Sequence, residues 1–98
     1  MTSKNTILSV LRAHKPQLES WGVSRIGLFG SYARGEQQPH SDIDFLIAFD
    51  PDKETFDNLI GINDCLEELF NGEKIEVATV NGLSPYIGRH ILEEVVYA

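Results

Sequence analysis

The chain reads as an α/β fold in which helices and short strands alternate, and three observations predict it. Helical periodicity marks both ends of the chain, two apolar runs of strand length flank a polar, glycine-containing stretch, and an alternating segment occupies residues 74–80. The expected order is α, β, short α, β, α, β, α with no linker between elements. At 98 residues the chain has room for one modest hydrophobic core and not for two, so residues 1–98 are expected to form a single domain.

Each element has a local reason. Ile7, Leu8 and Leu11, then Leu18 and Trp21, recur at helical spacing, and Pro16 predicts a second helical piece opening after a break near His14. Gly22 follows as the residue that ends it. Val23 to Phe29 (VSRIGLF) and Ile43 to Phe49 (IDFLIAF) are rich in strand formers. Between them, the five residues SYARG are too few for more than a short helix. In FDNLIGINDCLEELF the residues Phe56, Leu59, Ile60, Asn63, Leu66 and Phe70 predict one buried helical stripe, stopped by Asn71-Gly72. Lys74 to Val80 (KIEVATV) alternates as a third strand. The segment LSPYIGRHILEEVVYA predicts a helix capped by Ser84 and opened by Pro85, with Leu83, Ile87, Ile91 and Val95 on its inner face.

Composition excludes several classes. Apolar residues make up 42% of the chain and charged residues 23%, ordinary globular usage. No apolar run approaches the roughly 18–20 residues of a membrane helix, and MTSKNTILSVLRAHK is too polar for a secretory core, so the expected location is the cytoplasm and no membrane partner is expected. The net charge of −7 argues against a grip on polymeric nucleic acid, which rests on Lys and Arg neutralising phosphates. The single cysteine, Cys65, lies in an apolar-periodic stretch and reads as buried filler.

The stretch LFGSYARGEQQPHSDIDFLIAF carries the chemistry. Gly30-Ser31 falls where the first strand gives way to the short helix, so backbone N–H groups there lack partners and a phosphate can approach. Asp42 and Asp44 start the second strand two positions apart, so both carboxylates share one face while Ile43 and Phe45 turn to the other. Carboxylates this close repel one another, and a divalent ion with oxygen ligands, Mg²⁺ above all, relieves them while sharing phosphate oxygens of a nucleoside triphosphate. Arg34 is placed either to reach that triphosphate or to fix the loop through an ion pair with Asp42 or Glu36. His40 and Ser41 lie on the loop that leads into the acidic pair, and His40 has no metal-ligand spacing with His14 or His90. No P-loop or Rossmann glycine pattern is present.

GSYARGEQQPHSDIDFLI resembles the signature of nucleotidyltransferases related to DNA polymerase β, which pairs G-S with a D-x-D in an apolar strand. The likeness is closest to the minimal nucleotidyltransferases, the MntA-type antitoxins of HEPN/MNT toxin–antitoxin pairs. It runs from the first helix through the ARG after the G-S to the ending PYIGRHILEEVVYA. This resemblance implies the polymerase β-like α+β fold, a small mixed sheet of three or four strands flanked by helices. It implies two Mg²⁺ ions, ATP as donor, and transfer of AMP to an acceptor hydroxyl with release of pyrophosphate. Gly30, Ser31, Arg34 and Ser41 would bind the nucleotide, and Asp42, Asp44 and Glu76 would be the catalytic, metal-holding carboxylates. Glu76 stands in the third strand where many relatives carry Asp. The acceptor is expected from outside the chain, a tyrosine of a partner HEPN toxin. The alternative is a catalytically weak binding module that neutralises its partner by contact alone.

Overall fold

The computed structural model describes residues 2–98. In chain order they form α1 (Lys4–Ala13), α2 (Lys15–Glu19), β1 (Val23–Phe29), α3 (Gly30–Arg34), β2 (Ile43–Phe49), α4 (Phe56–Leu69), β3 (Ile75–Thr79), α5 (Pro85–Glu94) and β4 (Val96–Tyr97). Capping sets the helix starts. Ser3, Thr55 and Ser84 accept the N–H groups of Thr6, Asn58 and Ile87 at 3.2–3.3 Å, each satisfying a donor that the first helical turn leaves open.

The four strands make one mixed sheet in the order β3-β2-β1-β4. β1 is antiparallel to both β2 and β4, whereas β2 and β3 run parallel and need the crossover helix α4 between them. Side-chain alternation then divides the sheet. Ile43, Phe45 and Ile47 of β2, with Ile26 and Leu28 of β1, join Ile7 and Leu11 of α1, Leu18 of α2, and Ile62 and Leu66 of α4 in one buried cluster. Removing each such side chain from water contributes about 1.5–3 kcal/mol. Phe45 and Phe70 meet as a tilted aromatic pair with centroids 5.4 Å apart. Tyr32 and Ala33 are buried in the same cluster and hold the short α3 in place. Cys65 is buried there too, as its apolar surroundings predicted.

The alternate positions of β2, Asp44 and Leu46, belong to the second face, on which Leu46 and Ile91 are buried outside the main cluster. This face carries the carboxylates and is only partly covered.

Three expectations need correction. The α4 stripe is rotated: Ile62, Cys65 and Leu66 face the core, while Phe56 is 75% exposed and Ile60 is exposed as well. Apolar residues occur on two faces of this helix, and the sheet covers only one. On α5 the buried residues are Gly88 and Ile91, and Ile87 is 62% exposed. Val95 is not on the helix at all. Its backbone is extended, and Val96–Tyr97 continue as β4 against Gly27 and Leu28, a fourth strand in place of the last helical turn. A Cβ at Gly27 would strike the backbone of Val96 and Tyr97, so the close crossing depends on glycine. Among the described residues no helix is long and apolar enough to cross a membrane.

Candidate active site

Asp44 is central. Its register partner on β1 is Phe29, the last residue before the Gly30 turn, and its partner on β3 is Glu76. Directly opposed residues of neighbouring strands share a face, so the register sets the Asp44 and Glu76 carboxylates side by side, as the alternation of KIEVATV predicted. Asp42 lies just before β2 and is exposed, as is Glu76, whereas Asp44 is half-buried. Asp44 is pushed up from its ordinary value of 3.8 to about 6. Burial is the largest cause, followed by the charge and hydrogen bond of Glu76 and the charge of Asp42, with Arg34 pulling the other way.

Gly30 adjoins this group. Its φ is +72°, a conformation costly for any residue with a side chain, and a Cβ built there would overlap Asp44 Oδ2. Two independent constraints therefore require glycine. The cap position of α3 is Phe29, which offers no side-chain acceptor, so the N–H groups of the first turn are not capped from within the turn. Ser31 follows directly and is half-buried.

Arg34 forms two ion pairs, one of them the pair with Glu36 expected from the sequence. Its Nε donates to Glu36 Oε1 at 2.6 Å and its NH1 to Glu94 Oε1 at 2.8 Å; the pair with Asp42 does not form. Ser41 accepts the Gln38 N–H on its hydroxyl at 2.8 Å, which pins the loop leading into Asp42. His40 is exposed on that loop.

Glu94 escaped the sequence reading. Its Oε2 accepts the Gly30 N–H at 2.8 Å, so a side chain from α5 reaches into the turn 64 residues earlier. Nothing in ILEEVVYA distinguishes Glu94 from Glu93, because the contact depends on tertiary placement of α5.

The residues fit a cation that draws part of its ligand set from substrate. Among the described residues no three His, Cys, Asp or Glu close around a common point, so the carboxylates are not a complete cage. The raised pKa of Asp44 comes first from burial and then from the like charges of Glu76 and Asp42, and a divalent ion relieves the latter. Oxygen donors from one or two carboxylates, completed by phosphate oxygens, suit Mg²⁺.

Comparison with known proteins bears on the whole chain. Residues 11–98 match the family described as Nucleotidyltransferase domain. The protein adenylyltransferase MntA of Thermococcus cleftensis is 38% identical over 98 residues, covering 99% of this chain and 97% of that one. A solved structure described as a candidate minimal nucleotidyltransferase superposes with a TM-score of 0.82 at 28% identity, covering 97% of this chain and 95% of the other. A toxin–antitoxin crystal structure with AMP-PNP shares the fold at a TM-score of 0.56 and 20% identity, over 98% of this chain and 72% of that one. Likeness in sequence along nearly the full length, and in the sheet that brings Gly30, Asp44 and Glu76 together, leads to one conclusion: the chain belongs to the nucleotidyltransferases, in their minimal form.

Proposed function

We propose that this protein is a Mg²⁺-dependent protein nucleotidyltransferase that moves AMP from ATP onto a tyrosine hydroxyl of a HEPN toxin in the cytoplasm, and so acts as its antitoxin. The observation that carries the reading is the packing of Asp44 between the Gly30 backbone and its register partner Glu76. That contact brings the Gly30 turn and paired carboxylates to one point of the sheet. The Thermococcus relative is named a protein adenylyltransferase, and the fold neighbour was solved as a toxin–antitoxin with an ATP analogue; both support the donor and the kind of acceptor.

Asp42 and Asp44 would hold the ion on the triphosphate, and Glu76 would share a second with the acceptor side. Bound Mg²⁺ would offset phosphate charge and lower the pKa of the acceptor hydroxyl. The chain's own groups do the positioning. The Ser31 hydroxyl and the N–H groups of α3 that follow Gly30, whose own N–H is taken by Glu94, would donate to phosphate oxygens. Arg34 contributes positive charge beside them, and Ser41 keeps the loop closed so that Asp42 stays at the start of β2.

Incubation of the protein with α-labelled ATP, Mg²⁺ and the toxin encoded beside it tests the reading. Label on the toxin is expected; a neutralised toxin without label would move the function to contact alone. Glu76→Gln should slow labelling by roughly 10- to 100-fold while nucleotide affinity stays near wild type, because Asp42 and Asp44 still serve the donor. Labelling at the wild-type rate would make Glu76 a surface residue.

A further inference from the structure

Glu93 and Glu94 close α5 side by side, yet only Glu93 is exposed; the Glu94 side chain retains 26% of its accessible surface. Its two oxygens serve two different parts of the site. Oε2 accepts the Gly30 N–H at 2.8 Å, and Oε1 accepts from Arg34 NH1 at 2.8 Å. Asp44 presses on Gly30 from its Cα side, so the turn is held by one carboxylate through packing and by another through a hydrogen bond. Arg34 is likewise fixed at two corners, by Glu94 at NH1 and by Glu36 at Nε. Burial works to raise the Glu94 pKa and is its largest single influence. The Arg34 hydrogen bond, the Gly30 N–H and the charges of Arg34 and His90 together outweigh it, and the group lies below its ordinary value.

We propose that Glu94 is a positioning residue for nucleotide binding: from α5 it fixes the positive-φ Gly30 turn and the Arg34 guanidinium in place, without touching the nucleotide itself. This rests on the reading of Gly30 and Arg34 as nucleotide-binding residues given above. The physical reason is pre-organisation. A long Arg side chain surrenders rotamer freedom when it takes a phosphate, and a turn in the left-handed region can relax away; a carboxylate that has already ordered both removes that cost from the binding step. The opposite arrangement, in which Glu94 competes with phosphate for the same donors, reverses the sign of every effect below.

The test is Mg·ATP titration of the wild-type protein, Glu94→Ala and Glu94→Gln, with the Gly30 amide followed by NMR before nucleotide is added. Glu94→Ala should weaken binding on the order of tenfold, the scale of a lost charge-assisted hydrogen bond, and shift the Gly30 amide resonance. Glu94→Gln keeps an acceptor for Gly30 but no charge for Arg34, so it should leave that resonance near its place and weaken binding by about threefold. In an Arg34→Gln background Glu94→Gln should add nothing, a coupling that mere scaffolding would not produce. Unchanged or tighter binding in Glu94→Ala, or an unmoved Gly30 amide, overturns the positioning role. Failure of the wild-type protein to bind Mg·ATP overturns the functional reading itself, and this proposal with it.

Discussion

β1 is bounded by two glycines of positive φ, Gly22 at +87° and Gly30 at +72°, and at both a Cβ would collide with a neighbour. The collision partners differ. At Gly22 it is the aliphatic Cβ of Lys53, and the backbone closes on itself: Gly22 N–H donates to Glu19 O at 2.9 Å and Gly22 O accepts from Asp50 at 2.8 Å. The nearby groove of about 400 Å³ is lined by charges of both signs, Lys15, Glu19, Arg25 and Asp50. At Gly30 the partner is a carboxylate of raised pKa, and the N–H is satisfied by a side chain from a distant helix. A strained turn at a strand end is therefore no mark of function by itself. What separates the two ends is the crowding of like charges and the use of a side chain where backbone would normally serve.

Parallel substitutions at the two ends put that contrast to the test. The largest effect is expected from Asp44→Asn against Asp50→Asn, both on β2 or at its end. Asp44→Asn should cut toxin labelling by two to four decades, roughly 3–5 kcal/mol of transition-state stabilisation, without loss of folding stability. Asp50→Asn should stay within about twofold of wild type. Labelling rates and thermal unfolding measured together decide it, and comparable losses in both variants would erase the distinction.

Next come the glycines. Gly30→Ala and Gly22→Ala should each cost about 1–3 kcal/mol of stability, since both force a side chain into the left-handed region. In folded protein only Gly30→Ala should lose Mg·ATP binding, because its methyl group must displace Asp44. Denaturant unfolding gives the first quantity and nucleotide titration the second; equal nucleotide affinity in the two variants would remove Gly30 from the site.

The smallest effect is in pH. Because the folded-state pKa of Asp44, about 6, lies above its ordinary 3.8, folded protein holds this proton more tightly than unfolded protein does. Its stabilising contribution is complete below about pH 4 and lost as pH rises through 6. Stability relative to Asp44→Asn should therefore decline over that interval by on the order of 1–2 kcal/mol, reduced from the full shift by solvent screening. Added Mg²⁺ should move the decline to lower pH by favouring the ionised carboxylate. A flat difference curve without Mg²⁺ would contradict the burial and crowding of Asp44.

The legible parts of the molecule share a physical property: their signals are local. Strand length, the Ser84-Pro85 helix start and the Gly22 stop are read from neighbouring residues. Glu76 was legible one step further, because alternation predicts its face even though only the β2–β3 register supplies its partner. What failed depended on tertiary placement. Apolar residues on two sides of α4 do not say which side the sheet will cover, and Phe56 and Ile60 remain outside. Val95 keeps the helical spacing from Ile91, and no glycine or proline stands between them to end the helix, so the turn into β4 carries no punctuation. Glu94 has no local signature at all.

The span of the Glu94–Gly30 bond also orders events in time. By length alone, bringing residues 64 apart together costs about 3.7 kcal/mol of chain entropy, against about 2.4 kcal/mol for closing Phe29 onto Asp44 in the β1–β2 hairpin. The hairpin can thus assemble early, and the C-terminal segment docks late. β4 is held to β1 over only two paired residues, which makes α5 and β4 the natural first region to open from the folded state. Such an opening would release the Gly30 amide to exchange with solvent while the central strands stay protected. The carboxylates on β2 and β3 would persist through it, and the phosphate turn would come and go with the last strand.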